Sequence, residues 1–469
     1  MKRMINIILL LTLILPVFAV TLNVEKCKQL ALDNSEEIKI ATTKKGVADY
    51  KKMQYRSNFL PKISFNATYL YRDAPFEMSV DDGYLPTYNY DSGTGELTPN
   101  LFIDPNSGQP VIGTDGNPVF NQYAYFPGLD LSLSLRNAYM ASIQATQPVF
   151  MGGKILNAYK MSKIGVEAAE VNYQRERENI LIETELAYWH IVSLNGKVTL
   201  ATQYEELLQE VVRQLTNATE VGMIQRNSLL KAEVKLNEAK LNKQKATHGY
   251  ALATLALERL IGIDLSGEIT LEDSVVQVNS EFTQEVDPEM YLDRKDFQLL
   301  TAKYEITRKQ KSIAFADYLP EIGVQASYSE KRFELNSNEN KSDEAMIMAN
   351  FSLPIFKWGE TYAKNKQAGF KRDAAKLELE RGIELMKLEI KKNEFAVKDA
   401  ILRNELANSS VTQATENLRI AQDNFDLKRN TLSDLLEAQT GWQKAESEQL
   451  DAQIDYQQST LMLLKAIGK

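Results

Sequence analysis

The strongest constraint on this fold is an internal duplication. Asn58-Phe59-Leu60-Pro61-Lys62-Ile63 is answered by Asp317-Tyr318-Leu319-Pro320-Glu321-Ile322, an offset of 259 residues. Further along the offset changes. Gln147-Pro148-Val149-Phe150 matches Leu353-Pro354-Ile355-Phe356, and Leu229-Leu230-Lys231-Ala232 matches Leu435-Leu436-Glu437-Ala438, both at 206. Leu260-Ile261-Gly262 against Ala466-Ile467-Gly468 keeps that value. A constant offset from Gln147 to Gly262 leaves no net insertion across two long stretches. The drop from 259 to 206 places 53 additional residues between Pro61 and Pro148 of the first copy.

Each copy carries a strand pattern and a helix pattern. Ile63, Phe65, Ala67, Tyr69 and Tyr71 are interleaved with Ser64, Asn66 and Thr68, and Ile322, Val324, Ala326 and Tyr328 with Gly323, Gln325 and Ser327. This period of two predicts strands. The expected hairpins pair 61–72 with 139–150 and 319–331 with 345–355, each strand near the roughly 9 to 11 residues that cross a bilayer at the tilt of a barrel. Pro61, Pro148, Pro320 and Pro354 stand where strand meets helix, because proline interrupts both hydrogen-bond patterns. The extra residues of the first copy, about 73–127, are crowded with turn formers and read as a long loop. The second copy has only a short polar tip at 332–344.

The remainder reads as helix. The first repeat, 20–270, is expected to hold helices at 24–57, 152–217 and 227–262; the second, 271–469, helices at 288–316, 359–426 and 432–467. The two long ones approach 100 Å at 1.5 Å per residue, longer than any compact domain, and two short ones laid end to end match one long one. Apolar residues recur at threes and fours, as in Tyr204, Leu207, Val211 and Leu215, the seam of helices packed side by side. Between the repeats, Ile269 to Leu271 and Val275 to Val278 read as a small mixed belt packed outside the helices.

Residues 1–19 have the form of a secretion signal: Lys2 and Arg3, an apolar run from Ile5 to Leu15, and a close on Val17-Phe18-Ala19. That run is shorter than the roughly 20 apolar residues a helical span needs, and no later segment supplies one, which argues against a helical membrane protein. One cysteine in a secreted chain leaves packing rather than disulfides to hold the fold. Cys27 lies eight residues past Ala19, too far for a lipoprotein cysteine, and reads as a buried thiol. Without Lys2 and Arg3 the formal charge moves from -9 to -11, with no basic block, so nucleic acid is not a partner. His190 and His248 lie in helical stretches at no ligand spacing, and no nucleophile or phosphate-loop motif is present, so neither enzymatic activity, a metal nor a cofactor is expected.

Four strands cannot close a barrel, since open edges are not tolerated in lipid, so several chains must share one. Ser64, Asn66, Thr68, Gln325 and Ser327 would then face a water-filled lumen. Phe65 and Val324 would face lipid, with Tyr69, Tyr71, Tyr139 and Tyr328 in the interfacial girdle. The leader, the paired Leu-Pro strand starts, the Gln-Pro-Val-Phe and Leu-Pro-Ile-Phe strand ends and the repeated Leu-Leu-x-Ala exits together resemble the TolC family of outer-membrane efflux proteins across nearly the whole mature chain. The resemblance implies a mainly α fold with transmembrane β: a homotrimer whose twelve-stranded β-barrel in outer-membrane lipid continues into a twelve-helix periplasmic α-barrel. It implies a passive exit duct of a tripartite efflux or type I secretion system, fed through a periplasmic adaptor by an inner-membrane RND or ABC pump.

By the same resemblance the periplasmic mouth lies at the turns 216–228 and 425–433, with Gly222, Met223, Lys428 and Arg429 meeting the adaptor. Asp434 and Glu437, three apart on one helix face, match positions where relatives narrow the pore with acidic rings; three copies would favour cations and raise one another's pKa. Three positions depart from the family. Ser228 and Asn430 stand where relatives latch the mouth with an Asp and an Arg, and Lys428 replaces the second turn glycine. The rivals are an envelope coiled-coil protein, structural or adhesive and without conductance, and the periplasmic adaptor, which would have a β-rich core and no lipid-facing strands.

Overall fold

The computed structural model describes residues 21–74, 76–133, 135–263, 269–273, 278, 286–335 and 338–469. The expected leader at 1–19 and positions 275–277 of the expected belt lie outside them. The helices are α1 (Val24–Asn34), α2 (Glu36–Ser57), α3 (Lys154–Glu220), α4 (Arg226–Ile261), α5 (Lys295–Phe315), α6 (Glu360–Asp426) and α7 (Leu432–Ala466). The strands are β1 (Thr21–Leu22), β2 (Lys62–Leu70), β3 (Phe76–Val80), β4 (Gly83–Pro86), β5 (Tyr88–Tyr90), β6 (Leu97–Pro99), β7 (Tyr123–Phe126), β8 (Leu129–Leu133), β9 (Leu135–Met151), β10 (Thr270–Leu271), β11 (Glu321–Leu335) and β12 (Asn338–Ser352). They fall into two units. One, Asn58–Gly152 with Leu319–Pro354, holds β2 to β9, β11 and β12; the other holds all the helices.

In the helical unit the duplication is carried by backbone. α3 and α6 are each 67 residues long and start 206 positions apart. α3 packs on α2 and α4 to one side and on α5 and α7 to the other, and α5 and α7 in turn pack on α6. The chain thus makes a layer with α6 at one margin and α2 with α4 at the other. Tyr188 of α3 is fully buried in the cluster that joins α1, α3 and α4. Its hydroxyl donates to the Asp273 carboxylate at 2.6 Å and lies 3.3 Å from the Leu22 carbonyl oxygen, beneath the parallel β1–β10 pair. Cys27 sits fully buried in the same cluster, and burial pushes its thiol up to about 11.

Several expected elements differ. The helix expected at 24–57 is two helices, because Ser35 leaves helical geometry (φ -55, ψ 130) and its hydroxyl accepts the Ile38 N–H at 3.3 Å, capping α2. The helix expected at 288–316 opens with a 3-10 turn, Pro288–Asp293, capped by Asp287. Arg294 then breaks to extended geometry, and its buried guanidinium donates to Glu389 at 2.6 Å before α5 begins. The belt is represented by Thr270–Leu271 alone among the described residues, paired with Thr21–Leu22.

In the strand unit the sheet order is β12-β11-β9-β2, all antiparallel. The polar tip expected at 332–344 is largely strand, because opposite charges meet across the ladder: Lys341 of β12 reaches Glu330 of β11 at 3.3 Å, and Lys331 of β11 reaches Glu344 of β12 at 3.7 Å. β2 ends at Leu70, so Tyr71 lies outside the strand expected to contain it. The expected long loop is instead a series of short antiparallel ladders, β3 with β8, β4 with β7 and β5 with β6. Its Gly and Asp residues serve as tight turns between strands rather than as open loop.

Candidate functional site

Register sorts the four-stranded sheet into two faces. Ile63, Ala145, Ala326 and Ile347 form one row, and Phe65, Ile143, Tyr328 and Ala345 the next on the same face. Val324 and Ala349 extend that face one row toward the strand starts. The intervening rows face the other way and are Ser64, Gln144, Ser327 and Met346, then Asn66, Ser142, Ser329 and Glu344. The apolar face ends at charged rows, Glu330 with Asp343 and then Arg332 with Lys341. From Ile322 to Glu330 this gives an apolar stretch of about 26 Å along the strand at 3.3 Å per residue, roughly 20 Å of height at a barrel tilt near 40°, close to the roughly 25 Å of a lipid-facing band. Tyr69 and Tyr139 share the row of Arg332 and stack with centroids 4.7 Å apart. Among the described residues β2 and β12 have a partner on one side only, so both outer edges of the sheet are open.

A second open face lies on the helices and was missing from the sequence reading. In α6 the buried side is drawn by Met386, Ile390, Val397 and Ala400. Phe370, Leu377, Leu388, Phe395, Leu402 and Leu406 are exposed and, at 100° per residue, lie roughly 180° from it. α4 repeats this arrangement: Ala232, Leu236, Ala239 and Leu257 are buried, and Leu230, Val234, Leu241 and Leu252 are exposed on the opposite side. A helix apolar on two opposite stripes is built to be covered on both. The signal was present as a second heptad-like spacing in residues already counted as helix.

The two helix turns have one backbone shape. Gly222 has φ 74 and Lys428 φ 61. Met223 N–H donates to Ala218 at 2.9 Å and Arg429 N–H to Asn424 at 2.8 Å, while Gly222 and Lys428 donate to Thr219 and Phe425 at 3.0 and 2.9 Å. Both are helix ends closed through a left-handed residue. An apolar cluster of Val211, Leu215, Ala421 and Leu435, with Ile224 and Phe425 against it, joins the turns. Gly222, Met223, Lys428 and Arg429 are all exposed, beside exposed Val221 and Leu427. Because a non-glycine residue pays about 1 kcal/mol in this conformation, Lys428→Gly is expected to raise stability by roughly 0.5 to 1 kcal/mol, read as a higher melting temperature of the detergent-extracted protein. An unchanged or lower value would show that the Lys428 side chain compensates.

Asp434 and Glu437 share an exposed face of α7. Asp434 also completes a capping box: its carboxylate accepts the Thr431 N–H at 2.9 Å and hydroxyl at 2.8 Å, and Thr431 accepts the Asp434 N–H at 3.3 Å. The Thr431 N–H, then its hydroxyl, hold the Asp434 carboxyl below the usual carboxylate range. The mutual raising expected in a ring is therefore opposed within each chain. Near the turns, Arg419 is engaged by Glu416 and Asp423 of its own helix, both at 2.8 Å. Asn430 N–H donates to Asn424 at 3.3 Å, and Ser228 N–H to Gln225 at 3.0 Å.

The comparisons with known proteins agree with this geometry. The model of a family described as outer membrane efflux protein matches residues 119–263 and 289–469. The chain is 20% identical over 310 residues to the outer membrane protein TolC of Vibrio cholerae, covering 64% of this chain and 70% of that one. It is 21% identical over 259 residues to the alkaline protease secretion protein AprF of Pseudomonas aeruginosa, covering 52% of each. Its fold is similar to that of the Campylobacter jejuni CmeC outer membrane channel (TM-score 0.73, 21% identity, 95% of this chain and 85% of that one). It is equally similar to that of VceC from Vibrio cholerae (TM-score 0.73, 16% identity, 95% and 96%).

Proposed function

The chain belongs to the outer membrane efflux protein family and is an outer-membrane channel for efflux or secretion, and from that premise we propose that it works as a homotrimeric duct. The observation that carries the assembly is that each unit is left unfinished on two sides: β12 and β2 are the open edges of the sheet, and α6 and α4 expose apolar stripes at the two margins of the helical layer. A head-to-tail association that joins these margins closes into a ring. Three copies give twelve strands in outer-membrane lipid and a twelve-helix periplasmic tunnel. In such a ring Ser64, Asn66, Thr68, Ser142 and Ser327 line the water-filled bore, while Phe65, Val324 and Tyr328 face lipid and Tyr69 and Tyr139 mark its boundary.

The two turns form the periplasmic mouth. Gly222, Met223, Lys428 and Arg429, with exposed Val221 and Leu427, receive a periplasmic adaptor that joins the duct to an inner-membrane RND or ABC pump. The pump selects the cargo and the duct conducts it passively. Asp434 and Glu437 constrict the pore as acidic rings. Because the cap holds the Asp434 carboxyl low, its charge and the cap are complete above the ordinary aspartate value near 3.9. Both are lost only as pH falls through the lowered value.

Native mass spectrometry of the detergent-extracted protein tests the assembly: a trimer of about 150 kDa is expected from a 53.1 kDa chain less its leader, and a soluble monomer or dimer would defeat it. Single-channel recording tests the rings. Asp434→Asn with Glu437→Gln is expected to lower the cation-to-anion permeability ratio about threefold or more. A ratio that does not move would place the constriction elsewhere.

A further inference from the structure

Nothing in a conduit requires the ribbon formed by β3 to β8. It leaves the sheet after Leu70 and rejoins it at Leu135, at the strand ends remote along the chain from the helices. Its composition is one-sided. Residues 73–135 contain nine Asp and Glu and no Lys or Arg; with 63 acids and 54 bases in the whole chain, the other residues balance at 54 of each. This segment therefore carries a charge equal to the whole -9 of the full chain, and nine of the eleven net negative charges left once the expected leader is removed.

The backbone of the ribbon branches. Phe102 N–H donates to Val119 at 2.8 Å, Val119 N–H to Val111 at 2.8 Å, and Val111 N–H to Phe102 at 2.9 Å, a closed triangle from which two tight hairpins emerge. Pro86, Pro99, Pro110 and Pro118 sit in the bridges next to branch points, where a missing N–H ends a ladder. Each arm is two strands wide, so the outer edges of the β4–β7 ladder carry no strand partner among the described residues. A row of rings runs along it: Tyr84 against Tyr125 at 5.4 Å, then Tyr123 against Phe120 at 6.0 Å and Phe120 against Tyr88 at 5.8 Å. Its tyrosines are exposed, from 48% at Tyr123 to 70% at Tyr84. Acids lie alongside. Asp82 accepts the Tyr125 hydroxyl at 2.9 Å, and the N–H groups of Gly93 and Asn106 hold the Asp91 and Asp104 carboxyls below the ordinary range, so both stay ionised.

We propose that this ribbon is a docking platform for an extended, Lys- and Arg-rich polypeptide segment at the outer face of the membrane, a placement that rests on the outer-membrane channel reading. Three features converge on that occupant. Open strand edges offer alternating N–H and C=O groups that a polypeptide main chain can match in register. Exposed tyrosine faces accept the apolar stems and cationic heads of Lys and Arg. A surface with acids and no bases attracts a cationic partner at long range and rejects an anionic one. An inorganic cation would leave the rings and edges unused, and a neutral glycan would leave the charge unused.

The test uses the full-length protein in detergent and fluorescence anisotropy of a labelled twelve-residue peptide alternating Lys and Thr, with a Glu-Thr peptide as counterpart. Saturable binding of the basic peptide is expected, weakened about tenfold or more between roughly 0.05 and 0.3 M salt as screening grows, with none of the acidic peptide. Asp82→Asn, Asp91→Asn, Glu96→Gln and Asp104→Asn combined should weaken it at least about tenfold, and asparagine keeps the turn acceptors at 91 and 104. Tyr84→Leu with Tyr88→Leu should weaken it without altering its salt dependence. Equal binding of both peptides, an unchanged affinity in the charge variant, or displacement by micromolar magnesium would each overturn the proposal. Oligomeric state and conductance of the same samples separate the two ideas: a conducting trimer that ignores the peptide refutes the platform alone, and a non-conducting monomer refutes the channel alone.

Discussion

Leu388→Asp combined with Phe395→Asp is expected to leave a folded, helical chain that does not form the proposed trimer. Both residues are exposed on α6, on the side opposite Met386, Ile390 and Val397. Burying each is worth about 1.5 to 3 kcal/mol, so losing both removes roughly 4 kcal/mol per interface, near a thousandfold in association. Each interface of a closed ring also has to bury two carboxylates, a desolvation cost that Lys391, 5.2 Å from the Phe395 ring centroid, offsets only in part. Within the chain the substitutions touch nothing that holds α6 to α5 and α7, so circular dichroism should keep its helical signal. Native mass spectrometry should then show monomer where the parent shows trimer. A trimer that survives both charges would mean that the α6 stripe faces something other than a second copy.

Tyr188 carries the second large effect, and here the chain itself is at stake. Tyr188→Ala removes a fully buried ring from the cluster of Leu22, Cys27, Ile191, Leu257 and Ile261, a change that costs about 3 to 5 kcal/mol. Tyr188→Phe keeps the ring but strips the half-buried Asp273 carboxylate of the hydroxyl donor it holds at 2.6 Å, which should cost about 1 to 3 kcal/mol. Melting of the three proteins in one detergent should rank parent, Phe and Ala in descending order. The β1–β10 pair should become more sensitive to protease in both variants, since the hydroxyl adds a polar tie from Leu22 and Asp273 to α3 beside the packing of Leu22. If the Phe variant melts with the parent, the clamp is packing alone.

Much of this was legible because the duplication is written in both halves. The offset of 206 from Gln147 to Gly262 anticipated two long helices of equal length, and the period-two stretches around Phe65 and Val324 anticipated the hairpins. What was not legible had a physical cause in each case. Ser35 looked like one polar residue inside a helix, yet a hydroxyl followed by two glutamates is also a cap. Gly, Pro and Asp between 73 and 127 are needed equally by a loop and by hairpins with short arms, and composition does not separate them. The second stripe on α6 was overlooked because one apolar seam suffices to explain a helix in a single chain. Of the residues proposed for the mouth, the sequence located Asp434 and Glu437 on one face but did not show that Asp434 is also a cap. Nor did it show that Lys428 adopts the conformation of the glycine it replaces; the backbone repeats there although the side chain does not.

The equality of α3 and α6, 67 residues each, makes this protein a ruler that can be recut only in matched strokes. Seven residues added to one long helix alone would shift its apolar stripes past those of its neighbours by two turns, about 10 Å. The same seven added to α3 and α6, and to the α4 and α7 helices that run beside them, would restore every seam at a new length. Insertions that survive in chains of this design should therefore come in paired, heptad-sized steps. A periplasm of different depth would be spanned by counting in sevens.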